Sequence, residues 1–352
     1  VLLVLLILLV LLPSPDSPLS RDCSMQSTLA AEGIHRIRPY IQLARIDHWF
    51  KNVFMLFGTF LALFVEPSLF RLDVVPSLAI AFLATCLVAS SNYVLNEVLD
   101  APYDRKHPVK RHRPAAAEKV RRSIALAEWL VLGAVGIGLG VVVHPYFAAS
   151  AAALWVMGIV YNVHPIRTKE LPYLDVLSES VNNAIRLLLG WFALIQSPVP
   201  PVSLIIAYWM AGACFMAIKR FAEYRQIGDA KTARRYRRSF KHYSEDRLLV
   251  SAFFYVVLAA LFTGVFIVRY RLELILILPL VAGFFAYYMQ LGLKENSPVQ
   301  NPEKLHGERG FVAFSIASGV VFVLLMFTHI PVLYELFNVE VAKTSPLWTL
   351  GP

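Results

Sequence analysis

What most constrains this chain is a succession of apolar runs, each near the length of a membrane crossing. From Met25 onward nine segments have this character, at about 44–65, 77–99, 123–143, 145–163, 175–195, 202–222, 248–268, 272–291 and 310–330. A helix needs about 20 residues to cross roughly 30 Å of hydrocarbon. Lipid offers no hydrogen bonds, so such runs satisfy their backbone internally and fold as helices. Only 16% of residues are charged, where a soluble domain carries about 25%. The pattern predicts an all-α polytopic membrane protein with nine transmembrane helices.

The basic residues are distributed unevenly about those segments. Counting tails and alternate loops, 27 Lys and Arg fall on one side and four (Arg71, Arg269, Arg271, Lys343) on the other. The positive-inside rule then places the N-terminus in the cytoplasm and the C-terminus on the opposite side. It also accounts for the net charge of +9 without a nucleic-acid partner. Cys23, Cys86 and Cys214 have no metal-ligand spacing, and two lie in expected membrane helices, so neither a zinc site nor a disulfide framework is read.

Residues 1–24 open with twelve apolar residues, VLLVLLILLVLL, followed by PSPDSP. That run is too short to span and lacks a preceding basic flank, so it is expected to be an irregular or non-native extension. Residues 25–43 form a cytoplasmic segment, 44–335 the nine-helix domain and 336–352 a short tail.

Two acidic lines interrupt the apolar pattern. Asn96, Asp100 and Asp104 repeat at i, i+4 and i+8 at the end of the second segment, so they share one helical face. Acids near a membrane are costly and mark functional sites by default. Hard oxygen ligands in this arrangement suit Mg²⁺, which takes one or two carboxylates and leaves room for phosphate oxygens. The tract that follows carries Lys106, Lys110, Arg111 and Arg113, as a metal-bound diphosphate would require. A purely topological role for those cations competes with that reading.

The second line, Asp175, Glu179 and Asn183, repeats the spacing at the start of the fifth segment, with Arg186 one turn further on. The two lines are expected to face each other across a polar cavity open to the cytoplasm and to hold Mg²⁺ around a diphosphate. The competing reading has Asp175 cap its helix and Glu179 pair with Arg186. A third cluster, Lys219, Arg220, Glu223 and Arg225, closes the sixth segment, where snorkelling is the bland explanation. Arg234 to Arg238 fit anionic lipid headgroups better than catalysis.

With these pieces assembled, the chain resembles the UbiA superfamily of intramembrane prenyltransferases from about Ala44 to Ile330. Within it the resemblance is nearest the branch that includes decaprenylphosphoryl-5-phosphoribose synthase. The matching motifs are Arg45, Trp49, Lys51 and Asn52; the run from Asp104 through Arg105 to Pro114; Lys219, Arg220 and Glu223; and Asn301 to Leu305. The chain departs from the branch in reading Asn96-Glu97 where Asn-Asp is usual, and in its longer stretch between Tyr161 and Asp175.

The resemblance implies an Mg²⁺-dependent transferase that moves 5-phosphoribose from phosphoribosyl diphosphate to a polyprenyl phosphate. Asn96, Asp100, Asp104, Asp175 and Glu179 would hold metal. Lys51, Asn52, Arg105, Lys110, Arg111, Arg113, Asn183, Arg186, Lys219, Arg220 and Glu223 would bind substrate. One alternative exchanges the donor for a polyprenyl diphosphate and the acceptor for an aromatic or quinone precursor. The other is a non-enzymatic transporter or lipid-binding protein.

Overall fold

The computed structural model describes residues 37–105, 110–197, 199–300 and 302–339, all helix or connecting turn, with no strand among them. The expected extension over 1–24, the cations Lys106 and Lys343, Asn301 and most of the tail lie outside the described residues. All nine expected segments are helical. Seven helical stretches among the described residues are long and apolar enough to cross a membrane. Two others, over 145–162 and 174–192, are helical without meeting that standard. The second of these carries Asp175, Glu179, Asn182, Asn183 and Arg186, which dilute its apolar character.

The chain divides into two compact units. One contains the described residues up to Asn52 together with Val75–Arg167. Its helices are α2 (Val75–Asp104), α3 (Arg122–Val143) and α4 (Pro145–Asn162), α1 being the preceding Leu56–Val65 of the other unit. Lipid is as apolar as leucine, so helices in a membrane associate through close packing of small residues. Gly136 faces α2 so closely that a Cβ there would lie 2.9 Å from the Ala84 carbonyl oxygen. On α4, Gly158 seats the Asn92 amide, whose Oδ1 a Cβ would meet at 2.0 Å. Pro145 starts α4 at a position where no N–H is needed, and the His144 side chain accepts from the Tyr146 N–H at 3.2 Å.

The other unit contains Val53–Val74 and the described chain from Thr168 onward. Its helices are α1, α5 (Leu174–Phe192), α6 (Val202–Ile227), α7 (Ala230–Tyr236), α8 (Glu245–Tyr270), α9 (Leu278–Leu293), α10 (Arg309–Phe327) and α11 (Pro331–Leu336). Reciprocal glycines lock α1 onto α5: a Cβ on Gly58 would come within 1.9 Å of the Leu187 carbonyl oxygen, and one on Gly190 within 1.7 Å of that of Met55. Helices α6, α8 and α9 enclose a core including Met210, Ile218, Tyr255 and Phe284. Gly228 ends α6 in the left-handed region (φ 68), a conformation glycine adopts without penalty. Asp229 then caps α7 through the Lys231 and Thr232 N–H groups. Phe240 and Tyr243 turn the loop back onto Phe221 of α6.

Candidate active site

In the first unit, the acidic line of α2 comes with a guanidinium for each carboxylate. Arg167 donates from Nη2 to Asp100 Oδ1 at 2.8 Å, and Arg113 from Nη1 to Asp104 Oδ2 at 2.7 Å. Such charge-assisted bonds are the strong ones, and they hold both acids in their ionised form. Asn96, half-buried, lies one turn before Asp100 on the same helix. Glu97, where the related branch usually carries Asp, is buried and accepts from the Ala115 N–H at 3.3 Å, tying the loop after α2 to that helix.

Arg167 entered the sequence argument only as one of many cations, and its structural setting is more specific. It is buried, donates from Nη1 to the Asn162 carbonyl at 2.9 Å and stacks over the Tyr103 ring at 5.4 Å. Its backbone has φ 29, which is strained for a residue with a Cβ. Neither the turn nor the Asp100 contact, 67 residues away, has a signal in the local sequence. A lone arginine in a short connection was the only available cue.

Other expected substrate residues of this unit sit elsewhere. Arg105 pairs with Glu118 at 3.0 Å on the surface, and Arg111 is exposed beside His112. Lys110 is half-buried in the short 3₁₀ turn Lys110–His112. Lys51 contacts His48 Nδ1 at 2.8 Å, while Asn52 is buried with its amide on the Cys86 sulfur at 3.3 Å. Cys86 precedes Asn96 by ten residues of α2, about 15 Å along the axis, so Asn52 is not brought to the acidic line.

In the second unit, the acids of α5 surround one guanidinium. Arg220 of α6 is 1% exposed and meets Glu179 at 2.6 Å, Glu223 at 3.2 Å and Asp175 at 3.6 Å. Asp175 is 0% exposed; its two oxygens accept from Tyr243 Oη at 2.7 Å and Ser239 Oγ at 3.0 Å. Arg237 approaches it at 3.8 Å. Burial, reinforced by the neighbouring Asp175 charge, raises the Tyr243 hydroxyl above the ordinary tyrosine range, so it stays a donor.

The alternative roles considered for these acids do not occur. Tyr173, not Asp175, occupies the cap position of α5, and Glu179 pairs with Arg220 while Arg186 donates to Asn183 Oδ1 at 3.4 Å. Lys219 is half-buried, with no ion pair among the described residues. Ser239 and Tyr243 escaped the sequence reading because their link to Asp175 spans more than sixty residues.

The donors can be weighed against Mg²⁺ on their own chemistry. Asp100 and Asp104, with Asn96, supply hard oxygens on one face, a set that fits an ion arriving with its own phosphate ligands. Asp175 fits poorly, since both its oxygens are engaged by protein donors in a buried setting. Among the described residues no group of three or more His, Cys, Asp or Glu forms a ready metal cage.

Comparison with known proteins follows this geometry. The model of the UbiA prenyltransferase family matches residues 52–315. The chain is 28% identical to the decaprenyl-phosphate phosphoribosyltransferase of Mycolicibacterium smegmatis, over 59% of this chain and 63% of that protein. It is 31% identical to the nodulation protein NoeC of Azorhizobium caulinodans, over 53% and 58% respectively. The chain thus spans less than two thirds of the length of these curated relatives. A UbiA homolog from Archaeoglobus fulgidus, solved with GPP and Mg²⁺, superposes with a TM-score of 0.57 at 17% identity, covering 81% of this chain and 98% of that one. That likeness shows the fold.

Proposed function

The chain belongs to the UbiA prenyltransferase family, and from that premise we propose that it is an Mg²⁺-dependent membrane transferase moving 5-phosphoribose from phosphoribosyl diphosphate to a polyprenyl phosphate. The observation that carries this reading is the Asp100–Asp104 pair, each carboxylate held ionised by its own arginine. The names of the phosphoribosyltransferase relatives support the choice of donor.

The reaction breaks the bond between the anomeric carbon and the diphosphate oxygen, and forms one from that carbon to an acceptor phosphate oxygen. The departing diphosphate takes the bonding electron pair, so catalysis is mainly positioning and charge stabilisation. Asp100 and Asp104 would hold Mg²⁺, which when bound neutralises charge developing on the leaving group. Asn96 would orient a phosphate oxygen. Arg167 and Arg113 keep the two carboxylates aimed and charged. Arg186 and Lys219 would bind phosphate. The acceptor is already anionic, so no general base is required. In place of a metal role, Asp175 would be a positioning residue that anchors the 239–243 loop and helps orient Arg220.

The balance of basic residues supports a cytoplasmic N-terminus and active site. The deciding experiment supplies the purified protein and Mg²⁺ with labelled phosphoribosyl diphosphate and polyprenyl phosphate. A parallel reaction contains labelled polyprenyl diphosphate and 4-hydroxybenzoate. Sugar label entering the lipid phase is expected. Label passing only from the prenyl donor to the aromatic acid would overturn the donor assignment while leaving the metal role of Asp100 and Asp104 in place.

A further inference from the structure

The second unit contains an apolar cavity of about 320 Å³ among α6, α8, α9 and α10. Its inner wall includes Tyr208 and Ala211 of α6 and Ala259 of α8, all buried. Its rim includes Ala260 of α8 and Ala282 of α9, both exposed. Small side chains at that rim leave an opening between two helices long and apolar enough to cross a membrane. The medium at such an opening is lipid. A dry, apolar space more than twice the roughly 150 Å³ known to bind small hydrocarbons is a receptive site for a chain entering from that side.

Two observations select the occupant. Tyr208 is 3% exposed, stacks on Phe57 at 5.6 Å, and its hydroxyl has no hydrogen-bond partner among the described residues. A saturated acyl chain offers that hydroxyl nothing, whereas the double bonds of an isoprenoid accept a weak O–H···π bond. Distance gives the second argument. Ala211 precedes Arg220 by nine residues of α6, about 14 Å along the axis. A lipid whose phosphate lies at Lys219 therefore has its tail at the depth of the cavity after a short run of chain.

We propose that this cavity is the seat of the acceptor's polyisoprenoid tail, with Tyr208 distinguishing unsaturated from saturated chains. The proposal rests on the reading of polyprenyl phosphate as acceptor, and it is tested by binding so that the two stand or fall separately. The probe is a long-chain polyprenyl phosphate carrying a photoreactive diazirine near the end of its tail, added to the full chain in lipid nanodiscs.

Crosslinks are expected on the peptides containing Ala260 and Ala282. Unlabelled polyprenyl phosphate should displace them, and its fully saturated analogue should do so roughly tenfold less well. The Ala259→Phe variant, which fills the cavity, should lower the labelling by a similar factor. The Tyr208→Phe variant should erase the preference for the unsaturated competitor.

Equal labelling by a diazirine phosphatidylglycerol, or labelling that excess polyprenyl phosphate leaves unchanged, would mean bulk lipid and overturn the proposal. So would undiminished labelling in a well-folded Ala259→Phe protein, or no labelling at all. If that variant fails to fold, the competition series on the natural chain decides. A donor assay that excludes phosphoribosyl transfer would refute the function without touching this binding result.

Discussion

The acidic lines of α2 and α5 share one spacing and meet opposite fates. On α2, Asp100 and Asp104 each receive a separate arginine. On α5, Asp175 is sealed in the interior, and Glu179 shares Arg220 with Asp175 and Glu223. Spacing at i and i+4 puts acids on one face of a helix. Whether that face becomes a ligand set or an internal brace depends on which donors arrive from elsewhere in the fold. A buried carboxylate filled by hydroxyls has little capacity left for a metal, whereas a carboxylate held by one bidentate-capable cation can still offer oxygen to an ion brought by phosphate.

The most direct way to break this comparison is to remove charge from both lines. Asp100→Asn or Asp104→Asn is expected to lower turnover by roughly 10²–10³-fold while the protein elutes from detergent columns as before. Chelation of divalent ions should abolish turnover reversibly; full activity in excess chelator would sink the metal assignment. On the other line, Arg220→Met should act on stability. It leaves three carboxylates around an uncharged side chain, and breaking buried pairs in this way costs about 3–5 kcal/mol. Thermal unfolding in detergent measures it, and an unchanged midpoint would remove Arg220 as the brace.

Finer tests sharpen the same contrast. Arg167→Lys keeps the charge but loses the fork that reaches both Asp100 and the Asn162 carbonyl. A fall in activity of roughly tenfold, about 1.4 kcal/mol, with an increased requirement for Mg²⁺, is expected from titrating the metal. A merely structural role would leave that requirement unchanged.

Tyr243→Phe removes one of the Asp175 donors and should cost about 1–3 kcal/mol of stability. The sign of its pH dependence follows from the raised hydroxyl pKa. The folded state favours the protonated donor, so the contribution is fully present below the ordinary tyrosine value near 10 and is lost as pH rises beyond it. The melting difference between the two proteins should therefore stay constant from neutral pH to about 9. A difference that disappears within that interval would mean the hydroxyl ionises in the folded protein.

The sequence by itself determined the helices and the faces that carry the acids. Runs of apolar residues must satisfy their backbone within the segment once lipid surrounds them, so the positions of all nine helical segments were legible from hydropathy alone. The four-residue repeats of Asn96, Asp100 and Asp104, and of Asp175, Glu179 and Asn183, were legible for an equally local reason: helix geometry converts spacing into a face.

Tertiary structure decided everything that required a partner from far along the chain. The strained turn at Arg167, the loop that delivers Ser239 and Tyr243 to Asp175, and the convergence of three acids on Arg220 join residues separated in sequence by as many as 68 positions. Arg220 followed the same division: its place among the charged residues ending α6 could be read from the chain, whereas its role as the buried counterion of two helices could not. No local pattern encodes such pairings, because they form only when packed helices bring charges together in a medium that makes leaving them apart costly.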